Sequence, residues 1–142
     1  VAITTPEPER ISLPAIMGSR SPWDAVRIAE LPSGNAAETR YAVKGGGVVT
    51  VEPNVHSFDA VAERNPNAML ASLMVSKRDW GVAHVRGDIQ FQNDMMELGR
   101  LVAIRVVPSP DFQTRAYNQA PQLAERSAAM LAAVKAKTLT LG

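Results

Sequence analysis

Beyond Trp80 the chain alternates apolar and polar positions one by one. Ala83, Val85, Gly87, Ile89 and Phe91 fall on one side of an extended backbone, and Val82, His84, Arg86, Asp88 and Gln90 on the other. That period of two is the pattern of an antiparallel strand with one wet face. QNDMMELG then reads as a connection, and RLVAIRVVP as a second strand ending at Pro108. Together they predict a long hairpin around residues 80–107. A second hairpin is predicted at 41–52. There YAVK and VVTVE, rich in β-branched and aromatic residues, flank Gly45, Gly46 and Gly47.

Elsewhere the period lengthens to that of a helix. Leu123, Ser127, Met130, Leu131 and Val134 make one seam among many alanines, predicting a C-terminal helix over 121–138. Asn65 followed by Pro66 opens another helix, with Met69, Leu70, Leu73 and Met74 on its apolar face and Lys77 and Arg78 in its last turn. Ser57 is a candidate cap for a helical turn or two reaching Arg64, and a short helix is expected to begin at Pro110 and to be interrupted by Pro121. Residues 22–31 carry two readings. Ser21, Pro22 and Asp24 suit a helix start, whereas Val26 and Ile28 alternate as in a strand.

The first 20 residues follow neither period. Pro6, Pro8 and Pro14 fix the backbone and push their predecessors into extended geometry. Residues 1–20 therefore read as an extended arm, with room for an edge strand at 11–17. Its side chains Ile3, Ile11, Leu13, Ile16 and Met17, with the adjacent Trp23, are expected to lie against another surface. The fold class expected is α+β: a small antiparallel sheet packed with two or three helices in a single domain over 21–142, preceded by that arm.

Composition narrows the chemistry. A chain of 142 residues is long enough for one well-buried core. It has no cysteine, which excludes disulfides, thiolate metal sites and a cysteine nucleophile. The formal net charge is +1, without the basic excess typical of phosphate-driven nucleic-acid binding. No apolar run approaches the ~20 residues that span a bilayer, and VAITTPEPER lacks the regions of a signal peptide. No membrane partner is expected, and synthesis in the cytoplasm or incorporation into a virion is favoured over secretion.

Each candidate for chemistry meets a simpler use. The triple glycine lacks the following helix and Lys-Ser/Thr of a phosphate loop, so it reads as a turn. His56 and His84 are too few for a metal site, and no GxSxG elbow occurs. No cofactor and no metal are expected. His84, Arg86 and Asp88 share the polar side of one predicted strand, a sensible set for proton transfer next to an anion, but also what any half-exposed strand presents. Arg86-Gly87-Asp88 spells an adhesion tripeptide in a setting that is not a loop tip. Trp23, Trp80 and the methionines Met69, Met74, Met95, Met96 and Met130 suit packing.

The expectation is a non-catalytic structural subunit of a larger assembly, a virion head or tail component being one version. Its arm and C-terminal helix would contact other protein subunits in a homo- or hetero-oligomer. Two alternatives stand beside it. One is a small cofactor-independent enzyme using His84 and Asp88. The other is a nucleic-acid accessory protein in which Arg20, Arg27, Arg40, Lys44, Lys77 and Arg78 converge.

Overall fold

A computed structural model describes Ile16 and residues 21–140, with side chains to 136. It is an α+β fold with two separate sheets. A four-stranded antiparallel sheet has the order β1-β2-β3-β4, from Arg27–Leu31, Thr39–Val43, Val48–Glu52 and Val55–Phe58. A parallel pair, β5 (Val82–His84) and β6 (Arg105–Val107), forms the second.

Both readings of residues 22–31 hold, one after the other. Pro22 at the first position starts a single helical turn, α1 (Pro22–Val26). The chain then extends into β1, where the register with β2 shifts between Arg27 and Ala29. Ile28 sits at that irregularity and is 66% exposed.

The hairpin expected at 41–52 is β2–β3. All three glycines of its turn have positive φ, which L side chains avoid. Gly47 is also forced by space, since a Cβ there would lie 2.3 Å from the backbone nitrogen of Ala62. The Asn65 side chain donates to the carbonyls of Lys44 and Gly46, and Asn67 donates to Lys44 as well. Those bonds tie the turn to the start of α2 (Pro66–Asp79), which Asn65 also caps through the Asn67 N–H.

The helical turn expected from Ser57 is instead strand β4, with Ser57 opposite Thr50. The true cap is Asp59, two residues on. Its carboxylate accepts from the Ala62 N–H at the short 3-10 turn Ala62–Arg64 and from the Val48 N–H.

The hairpin expected at 80–107 is overturned. Alternation ends at Val85. Gly87, at φ +108°, turns the chain, and Asp88 caps a helix by accepting from the Gln90 and Phe91 N–H groups at 2.8 and 3.1 Å. That helix, α3 (Ile89–Val102), joins two parallel strands in a β-α-β unit. Its buried Phe91, Met95, Leu98 and Val102 recur at helical spacing. Gly99 lets it lie close on β6, because a Cβ there would meet the Val106 side chain. Ala103 at φ 60° then ends it with a left-handed cap.

After a short α4 (Phe112–Ala116), the expected C-terminal helix is present as α5 (Ala120–Thr140). Its seam of Leu123, Ser127 and Val134 is buried on this chain's own body, chiefly against α3. Ser127 donates to the buried Asp94 carboxylate at 2.6 Å and accepts from Asn93 at 2.7 Å, while Gln90 donates to Asp94 at 2.9 Å. Such a network costs little while every partner is present and much when one is removed.

Candidate functional site

One groove, about 300 Å³ in volume, opens between the two sheets. Residues 54–58 line one side and residues 83–86 the other. Successive side chains of a strand point to opposite faces. An unbroken run can therefore line one space only where that space follows the strand's edge. β4 is the outer strand of its sheet and β5 has β6 on one side alone. The groove thus lies between two strand edges that no described strand pairs. Phe91 and Met95 of α3 and Ser72, Ser76 and Trp80, from α2 and its end, complete the lining.

Hydrogen-bond direction follows from the register. The Asp59 N–H donates to the Val48 carbonyl at 3.1 Å, so Ser57 and Val55 also face β3. The backbone groups of His56 and Phe58 then point the other way, to the groove. On β5 the Val85 N–H donates to the Val107 carbonyl at 2.9 Å, which turns the backbone of His84 away from β6.

His56 is half-buried on the groove wall. Its ring lies edge-on to Trp23, centroids 5.3 Å apart, and tilted against Trp80 at 5.1 Å. Its Nδ1 is 2.7 Å from the Ser72 hydroxyl. Burial lowers its pKa to about 4, against a weaker opposing pull from Asp79. A neutral imidazole that weakly basic makes a poor general base at neutral pH. Ser72 is itself buried within α2. The pair is built as a wall, with the hydroxyl fixing the ring.

His84 and Arg86 are exposed and reach the same groove, whereas Asp88 does not. Asp88 caps α3 and pairs with Arg64 at 2.9 Å. Burial works to raise its pKa, but the Phe91 and Gln90 N–H groups and the Arg64 guanidinium outweigh it and hold the carboxyl below its usual range. The proton-transfer set of His84 with Asp88 is therefore not assembled. Of the residues expected to face a partner, Trp23 is 4% exposed and stacked on Tyr41 in this chain's own core. Ile16 is helical and fully buried there, which corrects the extended arm at that position. Ile3, Ile11, Leu13 and Met17 lie outside the described residues.

No protein-family model, curated protein or solved structure matches this chain.

Among the described residues, no group of three or more His, Cys, Asp or Glu could hold a metal ion, and no helix is long and apolar enough to cross a membrane. The meeting of both histidines with Trp80 in one groove had no signal in the sequence. Their strands belong to different sheets and come together only through α2 and the packing of the core.

Proposed function

We propose that this protein is a non-catalytic subunit of a larger protein assembly, binding an extended segment of another chain in the groove between β4 and β5. The observation that carries this reading is the pair of strand edges, unpaired among the described residues, that face one space. Such edges are templates for strand addition, which gives affinity through backbone hydrogen bonds and selectivity through side-chain pockets. The near-neutral net charge adds no field that would hold copies apart. The reading covers any multi-subunit particle, a virion among them. It gives the residues before Ile16 the role of contacting arm. The C-terminal helix uses its seam on its own domain and keeps its alanine-rich outer side for contacts.

The alternatives have less support. The enzyme reading needs Asp88 beside His84, and Asp88 is engaged at the α3 cap. The nucleic-acid reading needs a basic face. Arg27 pairs with Asp24, Arg78 pairs with Asp79, and Lys77 donates to the Val102 carbonyl.

Light scattering on the intact chain, over a series of concentrations, tests the assembly. A mass that rises above 15.3 kDa with concentration is expected. A mass that stays monomeric throughout would refute assembly between copies.

A further inference from the structure

We propose that the occupant of the β4–β5 groove is residues 1–13 of a neighbouring copy of this chain, added as a strand between the two edges. This rests on the assembly reading above and names its contact.

The groove sets three requirements. First, its occupant must offer backbone groups to both sides, to His56 and Phe58 on β4 and to His84 on β5. That demands a stretch about as long as β4, four residues, without proline at the bonded positions. Residues 1–5 and 9–13 each supply five residues free of proline, separated by Pro6, Glu7 and Pro8. Second, the floor is apolar and aromatic, from Phe91, Met95 and Trp80. The first stretch brings Ile3 and the second Ile11 and Leu13, in company with the β-branched Thr4 and Thr5 that favour a pleated backbone. Third, the β5 side carries His84 and Arg86, and the candidate segment brings Glu7 and Glu9 to meet them.

Connection supports the same occupant. The segment joins the body at Ile16, which is buried in the same core cluster as Trp23, and the Trp23 ring lies edge-on to His56 on the groove wall. The core that anchors the segment also holds Phe91 and Met95 of the groove floor. Fifteen residues, fully extended, span roughly 50 Å. That is enough to leave one body and cross to the groove of the next.

The test uses the intact chain and a synthetic peptide of residues 1–13. Excess peptide should compete with the neighbour's arm and bring the light-scattering mass of the assembled chain down to that of a monomer. Two control peptides, one N-methylated at both Ile3 and Ile11 and the other at both Thr4 and Ser12, keep every side chain but lose one backbone donor in each stretch. Successive amides of an inserted strand face opposite edges, so whichever stretch is inserted, competition should weaken by roughly fivefold or more. Arg86→Glu in the intact chain should weaken assembly in the same direction. An assembly that persists in excess peptide would refute the proposed occupant while leaving the assembly reading in place. Equal competition by the methylated peptides would refute strand addition. A chain that is monomeric from the start would refute the neighbouring copy as occupant and assembly between copies, including the case in which the segment closes its own groove.

Discussion

His56 makes the fold sensitive to acid, and the size of the effect follows from its surroundings. The ring is held neutral between Trp23 and Trp80, with the Ser72 hydroxyl on its Nδ1. Burial lowers its pKa from 6.5 to about 4. Below pH 6.5 the unfolded chain binds a proton at this site that the folded chain refuses, so stability falls as pH falls. The loss amounts to about 2 kcal/mol by pH 5 and approaches about 3 kcal/mol near pH 4. His56→Gln keeps a polar group near Ser72 and removes the titration. Urea unfolding followed by tryptophan fluorescence, at steps from pH 7 to pH 5, measures both proteins. The parent midpoint should fall by the equivalent of about 2 kcal/mol more than that of the variant. Equal slopes in the two proteins would refute the claim that a buried neutral imidazole braces the groove wall.

Substitutions at three positions test the frame around the groove. Gly47→Ala forces a side chain into a left-handed backbone and onto Ala62, and should cost about 2–4 kcal/mol in urea unfolding. A loss within the error of the measurement would contradict the close approach. Asp88→Ala should cost about 1–2 kcal/mol through the lost α3 cap, whereas Asp88→Asn should retain most of it, since asparagine caps as well. Equal losses from both would assign the residue's worth to the Arg64 pair. Ser127→Ala should cost about 1–3 kcal/mol by taking one hydrogen-bond partner from each of Asp94 and Asn93 between α3 and α5, and an unchanged midpoint would show that the network is slack.

The parts of the fold that could be read from sequence are those where local chemistry and tertiary environment agree. β2 and β3 alternate and close on three glycines, and α5 repeats its apolar seam every three or four residues. Asn65-Pro66 starts a helix just where its side chain can also hold the neighbouring turn. The misreading at 80–107 has a physical cause. Gln90, Gln92 and Asp94 are buried polar residues of α3, bonded to Ser127, Gly87, Ser109 and each other, with only the Gln90 side-chain oxygen left without a partner among them. Their polarity hides the helical period and leaves Ile89 and Phe91 looking like a continuation of β5. Asp88 likewise looks like one more polar strand residue, although Gly87 before it makes it a cap. The groove left less trace still. His56 and His84 are ordinary strand residues until two sheets that do not pair bring their edges to one space.

Amide hydrogen exchange, followed residue by residue at concentrations above and below assembly, reaches the central claim most directly. On β4 and β5 the Ser57 and Val85 amides already point into their own sheets and should be protected at every concentration. The His56, Phe58 and His84 amides point into the groove and should be protected only in the assembled protein. If those three exchange at the same rate whether the chain is assembled or dissociated, no strand is added there, and the account of the groove is wrong.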